Sequence, residues 1–251
     1  MPGRFPQMSP RYANVSEREQ EPPSLAISTV IFALRPDPDT GNLTLWLPLV
    51  RRIRQPYLDL WALPGGPLRP TESLQDAAAR NLQETTALEP SYLEQLYAFG
   101  GPDRSPSPRV VSIVYWALVQ PDEAALARQD ENVAWFRADN VGTLAFDHNQ
   151  IVDYALWRLR NKLEYGTVAY AFLGSTFTLA QVREVYEAVL GRALDPANFR
   201  RQLQGSVHIE PTDDYLQGGR HRPPRLYRYT GPDPRANSAP VRNTDDHATE
   251  H

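Results

Sequence analysis

The chain has no cysteine and only one lysine, Lys162, among its 251 residues. Without cysteine there are no disulfides and no thiolate metal ligands, and a cytoplasmic location is the expectation. Long apolar runs are missing as well. The longest are short pieces such as Val110–Val119, far below the length of a membrane-crossing helix, so no membrane partner is expected. The opening segment Met1–Pro23 has no apolar centre and no cleavage pattern of small residues, so it does not read as a secretory leader. There is also no strong excess of either charge: a net charge of -4 speaks against chain-wide nucleic-acid binding, but an average can hide a local basic face. What remains is ordinary for a globular protein, with 41% hydrophobic and 22% charged residues in a length that accommodates two small domains.

Both ends read as disordered, Met1–Pro23 for its proline, serine and charge, and Gly231–His251 because it offers almost nothing to bury. Between them, Leu25–Leu34, Leu43–Val50, Leu93–Phe99, Arg109–Leu118 and Val133–Phe136 read as strands. The run WALPGG introduces a helix over Ser73–Thr86, with Leu74, Ala77, Ala78 and Leu82 at helical spacing. A second helix covers Asn149–Tyr165, and the first domain, residues 24–165, is expected to end there. Residues 166–230 change character. Thr178 and Gly191 bracket a helix as caps, Asp195 and Pro196 open a short one through Leu203, and Val207–Glu210 and Arg225–Tyr229 read as a hairpin. Helix, turn, helix, hairpin is the order of a winged helix-turn-helix.

Gly66, Glu72, Arg80, Leu82, Glu84 and Leu88 reproduce the spacing of the Nudix signature, in its strand–loop–helix context. The first domain therefore resembles a Nudix fold, giving an α+β chain: a mixed sheet between helices, followed by a winged helix. The departures matter more than the matches. In Nudix hydrolases, helix carboxylates hold magnesium, a hard cation that needs oxygen ligands, against a diphosphate. Here the first of those glutamates is Asn81, the last is Thr85, and only Glu84 remains of the three. The closing glycine is Ala87, which suggests that the loop geometry has drifted. For Glu72, Arg80 and Glu84 the plainer reading is a structural salt-bridge set, Arg80 and Glu84 being four apart on one helix face. No catalytic residue and no metal ligand is assigned.

A pocket for a nucleoside diphosphate remains. Arg51, Arg52, Arg69 and Arg109 are candidates for bidentate phosphate contacts, with Arg80 and Glu84 in the same site. Gly65 and Gly66 would allow close backbone approach. Trp46, Tyr57, Trp61 and Trp116 could stack on a base, although aromatic residues in strands usually belong to the core. In the second domain, Arg192–Arg228 carries seven arginines against four carboxylates. Asn198, Arg200, Arg201 and Gln204 are candidates for base contacts from the second helix. Arg220, His221, Arg222 and Arg225 supply the hairpin, and Thr178 the entry to the first helix.

FDHNQIVDYALWRLRNKLEY, FTLAQVREVYEAVLG, LDPANFRRQL and RPPRLYRY are similar to the NrtR family of Nudix-related transcriptional regulators of NAD metabolism, and the resemblance runs from Leu25 to Tyr229. It implies a degenerate Nudix domain sensing ADP-ribose, with no cofactor besides that effector. It also implies a homodimer repressing NAD synthesis or salvage genes from a palindromic, double-stranded operator. Asn198, Arg200 and Arg201 would fall in the recognition helix and Arg220–Arg225 in the wing. The competing reading is a magnesium-dependent ADP-ribose pyrophosphatase, which needs metal ligands from outside the box. A non-catalytic module binding RNA or protein is a third.

Overall fold

The structure, a computed structural model, describes residues 22–88, 92–106, 109–120, 124–125, 131–165, 167–217 and 223–232. The expectations for the two ends fall almost wholly outside those residues. The first domain is organised on β1 (Ser24–Pro36), whose residues from Ile27 to Leu34 are all buried. A strand apolar on both faces must be covered on both sides. Its partners are β2 (Leu43–Arg51), β3 (Trp61–Ala62), β4 (Gly65–Pro67), β5 (Tyr92–Phe99), β6 (Val110–Val119) and β7 (Val133–Arg137). β1 pairs with β6 in parallel along most of its length, and on its other edge antiparallel with β4 and then β2. β7 joins β2, β3 also pairs with β2, and β5 edges the sheet beyond β6.

Helix α1 (Leu74–Thr86) closes one face, burying Ala77, Ala78 and Leu82 against Ile27, Ile31 and Ala33. Helix α2 (His148–Tyr165) closes the other, burying Ile151, Ala155 and Leu159 with Phe32, Leu47 and Trp116. The mixed sheet between helices is as expected. The two short strands in WALPGG are not, because pieces of two and three residues show no periodicity and form only by pairing with β2 and β1. Lys162, on α2, is placed by the sheet: its ammonium reaches Glu94, lies 3.1 Å from the Tyr92 hydroxyl and stands 5.3 Å from the Trp116 ring centre.

A 3-10 turn (Val168–Phe172), absent from the sequence reading, leads to α3 (Leu179–Leu190) and α4 (Pro196–Gln204), followed by β8 (Ile209–Tyr215) and β9 (Arg225–Tyr229). Phe177 extends this hairpin by exchanging two backbone hydrogen bonds with Tyr227, at 2.9 and 2.7 Å. The small core of this module is Phe177, Val182, Phe199 and Leu203. It is not self-contained. Val185 and Val189 of α3 belong to the core between the sheet and α2, and the Arg160 Nε donates to the Val189 carbonyl at 3.1 Å.

His148 is buried at the start of α2, where its Nδ1 accepts the Leu63 N–H at 2.9 Å. Nδ1 must therefore carry a lone pair. Burial, with help from Arg104 and Arg52 and against the pull of Asp147, lowers the pKa from 6.5 to about 4. The unfolded chain thus binds a proton that the folded one refuses, and stability is lost as pH falls from 6.5 towards 4. A shift of that size corresponds to about 3 kcal/mol. Urea titrations of the wild type should show this loss. His148→Asn keeps an acceptor without titrating and should flatten that part of the pH profile; an unchanged slope would assign it to other groups.

Candidate functional site

The loop from β4 to α1 and the first turns of that helix converge on Arg80. Its Nε and Nη2 donate to both oxygens of Glu72 at 2.8 and 2.7 Å, while Nη1 donates to Glu84 at 3.2 Å and to the Asn81 Oδ1 at 3.0 Å. Glu72 also accepts the Arg69 backbone N–H at 2.7 Å, and the Arg69 guanidinium reaches Glu84 at 3.4 Å. The hydrogen bonds from Arg80, opposed by partial burial and reinforced by Arg69, hold the Glu72 carboxyl down at about 2. Ser73 caps the helix in a reciprocal box with Asp76.

The glycines earn their places by close approach. A Cβ on Gly65 would lie 2.3 Å from the Ile27 carbonyl oxygen, and one on Gly66 would lie 2.9 Å from the Asn81 Oδ1. Thr85 donates its hydroxyl to the Asn81 carbonyl at 2.6 Å, inside its own helix. The carboxylates left in the box therefore face arginines, and the two replaced positions are engaged with protein. Among the described residues no group of three or more His, Asp or Glu side chains could hold a metal ion. The magnesium shell that the fold implies does not fit this arrangement.

The expected drift at the end of the box is not found. Ala87 takes the left-handed conformation, φ 58° and ψ 22°, and its N–H donates to the Gln83 carbonyl at 2.8 Å. The position still requires what glycine supplies, and alanine tolerates it at a cost.

The remaining candidates are dispersed. Arg51 pairs with Asp59 at 3.0 Å, and Arg52 donates to the Pro56 carbonyl at 2.8 Å while its guanidinium lies 4.6 Å from the Phe146 ring centre. Arg109 is exposed at the start of β6 and touches the Gly100 carbonyl at 3.4 Å. Only Gly65, Gly66, Arg69, Arg80 and Glu84 form one cluster. Among the base-stacking candidates, Trp116 is wholly buried in the core, Trp61 packs edge-on to Phe136, and Tyr57 packs edge-on to Phe146. The sequence reading missed Arg104 and Asp147, a nearly buried bidentate pair at 2.9 and 2.8 Å beside His148. No local pattern links residues 43 apart in sequence.

In the second module, Asp195 caps α4 by accepting the Asn198 N–H at 2.7 Å, and Phe199 and Leu203 turn inward. Asn198, Arg200, Arg201 and Gln204 are thereby all exposed. Among the described residues Arg200 and Arg201 have no ion-pair partner. Thr178 is different: it is buried, accepts the Gln181 N–H at 3.1 Å and completes a capping box, so its hydroxyl serves the helix. Arg225 bonds the Thr212 carbonyl at 2.7 Å, which steadies the hairpin. Thr178, Phe199, Arg200, Tyr215 and Arg225 line an open groove of about 690 Å³ between the helices and the hairpin. Arg220, His221 and Arg222 lie outside the described residues.

Fold and site together define a Nudix domain, short of metal-binding carboxylates, joined to a winged helix with an exposed basic second helix. The profile of the NUDIX domain matches residues 27–155, and that of the NrtR DNA-binding winged helix domain matches residues 169–229. The chain belongs to the NrtR family. It is 31% identical, over 86% of its own length and 86% of the relative's, to an ADPR responsive transcriptional repressor, NtrR, of Acinetobacter baylyi. The solved structure of Shewanella oneidensis NrtR complexed with a 27mer DNA is 32% identical and superposes with a TM-score of 0.70, covering 85% of this chain and 95% of that one. Over 111 residues, 44% of this chain and 66% of the relative, it is 33% identical to an ADP-ribose pyrophosphatase of Methanocaldococcus jannaschii.

If the left-handed cap at Ala87 is strained, Ala87→Gly should raise unfolding stability by about 1 kcal/mol, less the added entropy of the unfolded chain. A midpoint shift in urea reads this directly, and a loss of stability would show that the alanine methyl packs favourably.

Proposed function

We propose that this chain is a transcriptional repressor of NAD synthesis or salvage genes, which binds operator DNA through its winged helix under the control of ADP-ribose held by the Nudix domain. The observation that carries this reading is the pairing of two opposite features in one chain. The carboxylates that would hold magnesium are few and already neutralised by Arg69 and Arg80, whereas Arg200 and Arg201 stand exposed on α4. The ADPR-responsive repressor related to it over most of its length supports the same effector.

In this reading Gly65, Gly66 and Arg69 approach the diphosphate of ADP-ribose, and Arg51, Arg52 and Arg109 are further phosphate contacts from loop and strand ends. The domain binds the effector without hydrolysing it and takes no cofactor. Asn198, Arg200, Arg201 and Gln204 read base edges, and the hairpin, with Arg225, grips the backbone. The working form is a cytoplasmic homodimer, its two α4 helices reaching successive major grooves of a palindrome about 34 Å apart. No described helix is long and apolar enough to cross a membrane. Because ADP-ribose and DNA bind one molecule, their effects on each other's affinity must be reciprocal.

The pyrophosphatase relative favours a second reading, a weak magnesium-dependent hydrolase. Release of AMP from ADP-ribose at an appreciable rate would establish it.

Gel shifts on DNA upstream of neighbouring NAD genes test the sensor: saturating ADP-ribose should change operator affinity, and an unchanged affinity removes it. Arg201→Ala should cost roughly 1–3 kcal/mol of discrimination between operator and scrambled DNA if the side chain reads a base. An equal loss on both DNAs would make it a phosphate contact.

A further inference from the structure

A second recess lies at the far end of the same sheet. Arg35 is seven residues beyond Ser28, the partner of Gly65, along β1, about 23 Å at strand rise. The register puts Arg35, Trp46 and Trp135 on one face: Ala33 is opposite Trp46, and Trp135 opposite Pro48. The guanidinium lies 4.8 Å from the Trp135 ring centre and 5.9 Å from that of Trp46. With Pro36 and Pro38 these residues line an open recess of about 600 Å³, and no carboxylate is among the described residues that line it.

Two features of this recess are unmatched. The Arg35 guanidinium is half-buried, which lowers its pKa, and it has no hydrogen-bonding or ion-pair partner among the described residues. The Trp135 Nε1 is buried with no acceptor among the described residues, whereas the Trp46 Nε1 donates to the Thr44 hydroxyl at 2.8 Å. A buried donor without an acceptor costs free energy and calls for an explanation. Stacking on indole holds a guanidinium by its face and leaves its edge of N–H donors free. The recess therefore offers the donors of Arg35 and flat apolar walls, and no acceptor side chain among the described residues that line it.

We propose that this recess is a second small-molecule site, distinct from the Nudix loop, that takes a planar carboxylate. The carboxylate accepts from the Arg35 fork, and the flat body lies against the indole and proline walls. A tetrahedral anion would use the fork and leave the walls bare, and a flexible aliphatic acid would not cover them.

The test uses the full chain with 15N-labelled indoles, whose N–H signals report each tryptophan, Trp135 being assigned through Trp135→Phe. Benzoate should shift the Trp135 signal saturably, with acetate and inorganic phosphate each about tenfold weaker or more. Arg35→Met should weaken benzoate by about tenfold or more. Arg35→Lys keeps the charge without the fork, is expected to fold, and should also weaken benzoate. Three results overturn the proposal: no saturable shift in the wild type, equal benzoate affinity in Arg35→Lys and wild type, or acetate or phosphate binding as tightly as benzoate. ADP-ribose and operator binding are measured separately, so failure here leaves the repressor reading standing.

Discussion

Glu72 and Glu84 bring two carboxylates to one small volume, where like charges repel unless a cation stands between them. Arg80 is that cation. Its fork takes both oxygens of Glu72 while the other edge serves Glu84 and the Asn81 side chain. A guanidinium cannot give up its proton at any ordinary pH, so the neutralisation is permanent. The consequence is as much architectural as electrostatic. The loop after β4 is tied to the helix that follows, which keeps Gly65 and Gly66 against β1 and the backbone open where no side chain fits.

The same contact bears on hydrolysis. A metal-dependent hydrolase gathers negative charge so that a divalent ion is held against the substrate phosphates. In this chain Asn81 supplies a neutral oxygen already bonded to Arg80, and the Thr85 hydroxyl bonds its own helix. Charge balance at the loop is therefore reached within the protein. That balance leaves little negative charge to gather a divalent ion, and a sensor that destroyed its effector would erase the signal it reads.

How much of this was legible in the sequence depends on the range of each interaction. The caps at Thr178, Asp195 and Gly191 were readable because each involves neighbours a few residues away, whereas Ser73, read as part of its helix, is the cap. The buried run of β1 and the amphipathic faces of α1 and α2 were readable for the same reason. The strands β3 and β4 were not, being too short for a pattern and existing only through their partners. β8 runs through Pro211, Asp213 and Asp214, poor strand formers that read as a loop, and it is held by pairing with β9. At Ala87 the residue type was misleading, since the backbone kept the left-handed turn after the glycine was gone. Trp135 and Arg35 are brought together by two separate strand pairings, and no local spacing announces them.

The joint between the two modules limits how an effector could be felt at the DNA. Val185 and Val189 share the core that holds Phe32 and Trp116, and Arg160 and Gln120 donate to the Val189 and Leu173 carbonyls at 3.1 and 3.0 Å. Moving α3 relative to the sheet means breaking close-packed contacts, and packed interfaces switch between discrete arrangements and do not deform smoothly. A bound nucleotide can bias such an arrangement only by the difference in its affinity for the two states. The first domain and α3 therefore share one packed core, and a change at one is felt at the other only through a discrete repacking of that core or through contacts outside it.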